Sequence, residues 1–339
     1  MPRLFRLFLA TLLHTFRRRW ARGPARATWS FRLEVIVSYL RRDWDETSDW
    51  DFARYRADLE ARPYPRGAVA RTTRHDGELG GVSARWFVPP RKLAADSHQA
   101  HTGEPRAIVL FLHGGSYIYG SARTTHADLI ARLALASGLT VVGIDYRLAP
   151  EHPYPAQLDD ATRAFDALVA EGRSPGEILL AGDSAGGNLA IELQLRLRER
   201  AGLTSQARAA VLISPWSDLT MPGRSFVDND AFDFGTRTAL ARHAQAFAGD
   251  VPLDDPRISP VNADLRGLAP MLVMAGEAEI PRDDILRLGD RLARAGVEVE
   301  RHLAPDMPHN APLFAAYHPS AREALDVAAS FLRRHGVSR

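Results

Sequence analysis

The sequence contains no cysteine among its 339 residues. Disulfide bonds, thiolate nucleophiles and cysteine-ligated metal sites are therefore excluded, although this absence identifies no cellular compartment. A large charge excess is also missing, because 43 Lys and Arg residues are balanced by 41 Asp and Glu residues. Much of the excess of positive over negative charge lies upstream of Asp43, and the rest of the chain is acidic to neutral. A nucleic-acid partner therefore has little support.

A long apolar run is missing as well. Segment 4–13 is rich in leucine and phenylalanine, but it is too short to span a bilayer and contains Arg6. The arginine cluster follows the apolar part instead of preceding it, and no small-residue cleavage site is evident, which argues against a cleaved signal peptide. We therefore expect a cytoplasmic protein. With 45% hydrophobic residues, the chain can bury a substantial core.

Apolar residues near the N-terminus recur at helical spacing, with arginines beyond them. These residues are Phe5, Phe8, Leu9, Leu12, Leu13, Phe16 and Trp20. Two interpretations remain open: a cap helix that packs its apolar face on the domain, or a basic amphipathic helix in peripheral contact with an anionic membrane surface. We favour the cap, which a second helical stretch near 31–42 would complete.

A candidate nucleophile lies at residues 182–186, which read Gly-Asp-Ser-Ala-Gly. The run 178–181 before them predicts a strand, and the residues from Asn188 onward predict a helix. G-x-S-x-G at a strand-to-helix turn is the nucleophile elbow, which exposes a serine hydroxyl at the tip of a sheet. Its glycines let strand and helix approach at an angle that a Cβ would prevent. Ser184 is therefore the predicted nucleophile.

A second motif, His-Gly-Gly-Ser at 113–116, follows an apolar run that predicts a strand. Acyl transfer needs backbone N–H groups directed at the developing oxyanion, and a loop of small residues at the end of a strand can supply them. We predict an oxyanion hole in this loop at Gly114, Gly115 and Ser116. The N–H of Ala185, next to the nucleophile, would complete it.

A third stretch, 145–156, reads Asp-Tyr-Arg-Leu-Ala-Pro-Glu-His-Pro-Tyr-Pro-Ala and follows another apolar run. In this order and at these intervals, the three stretches resemble the hormone-sensitive-lipase-like family of α/β-hydrolases. Its members are mostly bacterial carboxylesterases and related lactone or acetyl-ester hydrolases. The resemblance extends from near Ala68 to the last predicted helix. It implies an α/β-hydrolase fold, with a mostly parallel central sheet, helices on both faces and a helical cap.

The chain order of such a triad is serine, acid, histidine. In the family that the sequence resembles, the acid is usually an Asp in a loop that ends in Arg-Asp. Aligning Arg282-Asp283 of this chain with that Arg-Asp pair places Glu279 at the acid position. Glu277 and Asp283 are alternatives, and either could instead lie at a helix N-terminus. His309 follows the last predicted strand in a Pro-flanked loop, as the family's histidine does, and is the predicted base.

The alternation of elements predicts the domain organisation. Cap helices are expected over 1–66, and the catalytic domain over 67–339 with a cap insertion at about 217–261. Residues 68–73 and 82–88 are predicted to pair as antiparallel strands, and 89–105 to form an exposed loop. Further strands are predicted near 107–112, 139–144, 178–181, 209–214, 271–275 and 297–303, and helices near 124–136, 157–171, 186–200, 236–248, 282–295 and 320–334.

These observations predict a serine hydrolase that cleaves short- to medium-chain carboxylic esters through an acyl-enzyme, without a metal or organic cofactor. The alternatives are lactone, acetyl-ester or amide hydrolysis by the same triad, or a non-catalytic binding protein on this fold. Tyr117 and Trp216 are predicted to contact a small-molecule ester, although either aromatic ring could belong to the core. The oligomeric state stays open, with a homodimer as one option.

Overall fold

A computed structural model describes residues 2–90, 107–201 and 205–336 of the chain. Its central sheet has eight strands. They are β1 (Thr73–Leu79), β2 (Val82–Val88), β3 (Ile108–Leu112), β4 (Thr140–Ile144), β5 (Ile178–Asp183), β6 (Ala210–Ile213), β7 (Met271–Gly276) and β8 (Val299–Ala304). Their order in the sheet is β1-β2-β4-β3-β5-β6-β7-β8, and β2 is the strand that runs antiparallel to its neighbours.

The described helices surround this sheet. They are α1 (Pro2–Arg22), α2 (Phe31–Thr47), α3 (Phe52–Glu60), α4 (Ala127–Ser137), α5 (Ala156–Ala170), α6 (Ala185–Ala201), α7 (Ser225–Asp228), α8 (Arg237–Ala248), α9 (Arg282–Arg294) and α10 (Pro319–Gly336). The buried apolar side chains form two clusters, and successive residues of β3 alternate between them. Leu110 belongs to one cluster, and Val109 and Phe111 belong to the other. Both faces of the sheet are therefore covered, as parallel sheets require. The chain has the α/β-hydrolase fold.

The first strand pair differs from its prediction. β1 begins at Thr73, and residues 69–71 form a short 3₁₀ turn instead of a strand. The glycines at 80 and 81 adopt positive φ angles of 58° and 78°, which suits a two-residue hairpin turn and sets the register in which Leu79 pairs with Val82. Most of the predicted loop 89–105 lies outside the described residues.

The N-terminal helices lie over the carboxyl edge of the sheet. α3 was not predicted, and its N-terminus is capped by Asp51, whose side chain accepts the N–H groups of Ala53 and Arg54. α1 does not pack its apolar face inward as expected. Its buried side chains are Leu7, Thr11 and Thr15, whereas the large apolar residues toward its C-terminus are exposed. Within the described ranges, no helix combines the length and apolar character needed to cross a membrane.

Candidate active site

Ser184 lies at the tip of the sheet, between β5 and α6. Its φ of +53° is a left-handed conformation, which a serine rarely adopts outside a constrained turn. A Cβ at Gly186 would collide with the backbone of Leu112. The glycine therefore allows α6 to start close to β3. The hydroxyl of Ser184 forms no hydrogen bond with any described residue, and Ser184 lines the main cavity.

Glu279 and His309 meet at the ends of β7 and β8, which are neighbours in the sheet. Glu279 Oε2 lies 2.6 Å from His309 Nδ1. The other carboxylate oxygen, Oε1, accepts the N–H of Gly276 at 2.6 Å, so both oxygens of this fully buried side chain are engaged. The orientation of the imidazole is thereby set by its Nδ1 side, and its Nε2 side is left for the cavity that His309 shares with Ser184. No hydrogen bond joins Ser184 to His309 among the described residues, and such bonds commonly tighten only when substrate is present.

The electrostatics of this pair favour a protonated imidazole. Burial alone would lower the pKa of His309, but the hydrogen bond and negative charge of Glu279, with the charge of Asp233, outweigh burial and raise it. Burial raises the pKa of Glu279 and disfavours its ionised form, while the hydrogen bond to His309 opposes that effect. The pair is thus arranged to stabilise an imidazolium when His309 accepts a proton.

The two alternative acids are engaged elsewhere. Glu277 Oε2 accepts the N–H of Asp306 at 2.9 Å. Asp283 Oδ2 accepts the N–H of Ser225 at 2.9 Å, and its Oδ1 lies 2.9 Å from the guanidinium of Arg282. Among the described residues neither carboxylate hydrogen-bonds to His309. The geometry therefore favours Glu279 over both.

The predicted oxyanion loop contributes only part of the expected set. The N–H of Gly114 donates to Asp183 Oδ1 at 2.9 Å, so the prediction that Gly114 belongs to the oxyanion hole is wrong. Gly115 and Ser116 line the cavity and have positive φ angles of 114° and 54°. Their N–H groups, and that of Ala185 at the start of α6, have no hydrogen-bond acceptor among the described residues.

Asp183, next to the serine, connects three segments of the site and was not predicted to have a role. Besides Gly114, its fully buried carboxylate binds His126 Nε2 at 3.2 Å and Asn310 Nδ2 at 2.8 Å. Burial would raise the pKa of Asp183, but the charge of His126 and the hydrogen bonds from His126 and Gly114 lower it overall. The carboxylate therefore stays ionised and holds together the oxyanion loop, the segment before α4 and the histidine loop.

Asp233 is a second buried carboxylate that sequence reasoning missed. It comes from the predicted cap insertion, and it accepts the N–H of Ile280 at 2.8 Å and the N–H of His309 at 3.2 Å. Asn229, from the same segment, donates to the carbonyl of Glu279 at 2.8 Å. Hydrogen bonds from the insertion thus hold the backbone in place on both sides of the Glu279–His309 contact. Apart from its asparagine and two aspartates, the stretch 229–234 carries no signal that could have revealed this.

A cavity of about 710 Å³ opens over Ser184 and His309. Its apolar lining includes Phe8, Tyr39, Leu40, Trp44, Tyr55, Leu59, Tyr119, Trp216, Phe234, Leu240 and Leu313. Trp216 therefore lies in the cavity wall, as its predicted contact with the substrate requires. The predicted substrate contact of Tyr117 is wrong, because its ring is fully buried against Phe247 at a centroid distance of 3.7 Å and its hydroxyl lies 3.2 Å from Glu192 Oε1.

The cavity wall also carries charge. Asp43, Asp58 and Arg62 line it and form ion pairs, with Arg62 Nη1 at 2.6 Å from Asp43 Oδ2. In the described part of the chain, no group of three or more His, Asp and Glu side chains is arranged to hold a metal ion.

Comparisons with known proteins agree with the fold. A family model described as the α/β-hydrolase fold matches residues 109–313. An acetyl-hydrolase of Streptomyces hygroscopicus is 36% identical over 256 residues, which cover 75% of this chain and 81% of that protein. An esterase of Acinetobacter venetianus is also 36% identical, over 66% of this chain and 74% of that protein.

Solved structures show the same likeness. The crystal structure of an esterase from the bacterial hormone-sensitive lipase family superposes with a TM-score of 0.75 at 31% identity, and it covers 99% of both chains. A hormone-sensitive lipase from a metagenome library superposes with a TM-score of 0.78 at 30% identity, over 89% of this chain and 97% of that one.

Proposed function

The chain belongs to the α/β-hydrolase-fold family of bacterial esterases and is a carboxylic ester hydrolase; from this premise we propose that Ser184, Glu279 and His309 form its catalytic triad. The observation that carries the proposal is the 2.6 Å contact between Glu279 and His309, in the cavity that Ser184 also lines with a hydroxyl that no described residue binds. A serine nucleophile needs a base within reach and a third group that orients that base.

The reaction follows from these positions. His309 Nε2 takes the proton of Ser184 Oγ as Oγ attacks the ester carbonyl carbon. The N–H groups of Gly115, Ser116 and Ala185 stabilise the resulting oxyanion. Collapse of the tetrahedral intermediate breaks the bond to the alcohol, which takes the proton from His309 and leaves an acyl-enzyme. Water then loses a proton to His309, attacks the acyl carbon and releases the carboxylic acid, and the proton returns to Ser184 Oγ.

The preferred substrate is an ester with a short to medium acyl chain. Pockets of 300–1,000 Å³ hold drug-sized ligands, so about 710 Å³ has room for an acyl group and an alcohol together. Aromatic and aliphatic side chains favour an apolar acyl group. A long tail would have to pass the ion-paired Asp43, Asp58 and Arg62, and contact with the partly exposed Asp58 would displace water from a charged group at a cost.

An acetyl ester is the second candidate. A relative named an acetyl-hydrolase, with 36% identity, supports it. The same triad would cleave either substrate, so only the occupancy of the acyl pocket differs. A lactone or an amide would need the same three groups with different contacts to the leaving group.

The test is a panel of p-nitrophenyl acetate, butyrate, octanoate and palmitate, with a lactone and an anilide. We expect kcat/KM to be highest for butyrate or octanoate and to fall for palmitate. A maximum at acetate would instead favour the acetyl-hydrolase alternative.

Two variants test the nucleophile and the base. Ser184→Ala and His309→Ala should each lower kcat by about 10⁴-fold while the protein stays folded. Ser217→Ala is the matched control, because Ser217 is a buried serine outside the cavity lining, and its hydroxyl has no partner among the described residues. Near-normal turnover in folded Ser184→Ala or His309→Ala protein would contradict the assignment.

A further inference from the structure

One side of α1 leaves large apolar side chains in contact with solvent. Trp20 is 86% exposed, Phe16 and Phe5 are each 62% exposed, Leu13 is 57% exposed and Leu9 is 41% exposed. These positions are separated by three or four residues, so they lie along one side of the helix. We call this set, Phe5, Leu9, Leu13, Phe16 and Trp20, the outer face of α1. Contiguous apolar exposure of this kind marks an interaction site more often than a monomer surface.

Ion pairs hold α1 in this orientation. Arg19 Nη1 lies 2.9 Å from Glu34 Oε2, and Arg3 Nη1 lies 2.9 Å from Asp43 Oδ1. The side turned toward the protein carries the buried residues Leu7, Thr11 and Thr15. A helix whose only role is packing would bury phenylalanine and tryptophan and expose threonine. The arrangement of α1 is the reverse.

The charges of α1 are all of one sign. Its sequence from Pro2 to Arg22 contains six arginines and no Asp or Glu. Arg6 and Arg17 form no ion pair with any residue that the structure describes. Each lies three or four positions from a member of the outer face, so both guanidinium groups flank it. An apolar stripe bordered by free arginines is the pattern of helices that lie in a lipid interface.

We propose that the outer face of α1 binds an anionic lipid surface, with Arg6 and Arg17 at the level of the lipid phosphates and the apolar side chains below them. Charge complementarity selects this partner over a second copy of the chain. A symmetric contact between two outer faces would place the free arginines of both copies in one interface, and like charges repel there.

The outer face is continuous with the mouth of the cavity. Phe5 belongs to both, and Leu4 and Phe8, from the same two helical turns, line the cavity as well. A lipid surface against α1 would therefore touch the cavity rim. An ester dissolved in that surface could reach Ser184 with little exposure to water. This consequence rests on the proposed function, whereas the binding of α1 to lipid does not.

The test is co-sedimentation of the full chain with vesicles of phosphatidylcholine and phosphatidylglycerol in equal amounts. We expect binding that added salt weakens, and much less binding to phosphatidylcholine alone. Phe16→Ser with Trp20→Ser should abolish binding and leave kcat/KM on soluble p-nitrophenyl butyrate unchanged, because neither residue lines the cavity. Val227→Ser with Leu303→Ser is the matched control, since it removes two other exposed apolar side chains (69% and 43%) and should bind like the wild type.

Charge is tested in the same way. Arg6→Gln with Arg17→Gln should weaken vesicle binding by roughly tenfold or more. Arg224→Gln with Arg266→Gln changes the net charge equally at side chains that are 85% and 79% exposed elsewhere, and should have much less effect. Ser184→Ala should bind vesicles normally, which separates failure of the lipid proposal from failure of the proposed chemistry.

Two results would overturn the proposal. One is equal vesicle binding by the wild type and the Phe16→Ser/Trp20→Ser variant, with circular dichroism showing both folded. The other is a protein that does not bind vesicles and sediments as a dimer, and that becomes monomeric in the same variant, because the outer face would then join two copies of the chain.

Discussion

Replacing Glu279 with glutamine tests the proposed acid most sharply, because the structure dictates how the new amide would sit. Glu279 Oε1 accepts the N–H of Gly276 at 2.6 Å. A glutamine must keep its side-chain oxygen toward that N–H, because the opposite orientation would place its NH₂ group against the N–H of Gly276, and both groups are hydrogen-bond donors. Its NH₂ group then faces His309 Nδ1 and makes this nitrogen an acceptor. The proton moves to Nε2, which can no longer take the proton of Ser184.

The magnitude follows from this change of tautomer. Holding the imidazole of a serine triad in the wrong tautomer costs about 10⁴-fold in kcat, or roughly 5.5 kcal/mol of transition-state stabilisation. The loss should appear in kcat on p-nitrophenyl butyrate with little change in KM, since Glu279 is absent from the cavity lining. The residual activity should persist to lower pH, because the Glu279 charge that raises the pKa of His309 is gone.

The matched controls are Glu277→Gln and Asp283→Asn, which change neighbouring carboxylates that bind Asp306 and Ser225 instead. Both should keep kcat within about tenfold of the wild type. If Glu279→Gln stays within tenfold of the wild type while Asp283→Asn loses most activity, the acid is Asp283 and the tautomer argument is wrong.

Two further predictions concern buried carboxylates. His309 must be neutral to act as the base, and the charge of Asp233 helps to raise its pKa. Asp233→Asn should therefore move the acid limb of the pH profile of kcat/KM to lower pH. An unchanged acid limb would refute this. The same substitution should also cost about 1–3 kcal/mol of stability in urea denaturation, because a buried backbone N–H loses its acceptor. Glu192→Gln should alter the pH dependence of stability, because burial raises the pKa of Glu192 to about 8. In the wild type the unfolded carboxyl ionises above about pH 4.5 and the folded one only near pH 8, so stability falls by about 1.4 kcal/mol per pH unit across that window. The variant should lack this contribution and gain stability relative to the wild type from pH 5 to pH 8, whereas parallel curves would contradict the assignment.

Local sequence was sufficient wherever the determining contacts are local. Gly182 predicts the elbow because a Cβ there would collide with the backbone of Gly186 and Gly187 across the strand-to-helix turn. Strands β3 to β7 were predictable from continuous apolar runs, since strands buried on both faces lack alternation, whereas the edge strand β8 is partly exposed and contains charged residues. The family resemblance carried Glu279 and His309, and their contact at 2.6 Å depends on the adjacency of β7 and β8 in the sheet.

The direction of individual groups was not predictable from the sequence. Gly114 lies in the predicted oxyanion loop and Tyr117 follows it, yet the N–H of Gly114 donates to Asp183 and the ring of Tyr117 is buried in the core. A motif specifies which residues occupy a loop, whereas the packing around the loop decides where each amide and ring points.

Only the tertiary structure determined the hydrogen bonds between distant segments and the side of α1 that is exposed. Asp233 reaches Ile280 and His309 across 47 and 76 residues, and no local pattern encodes a hydrogen bond of that span. The sequence of α1 by itself determined an amphipathic, basic helix. Which side would face solvent depended on the positions of Glu34 and Asp43, because their ion pairs with arginines of α1 fix its rotation and leave Phe16 and Trp20 outside.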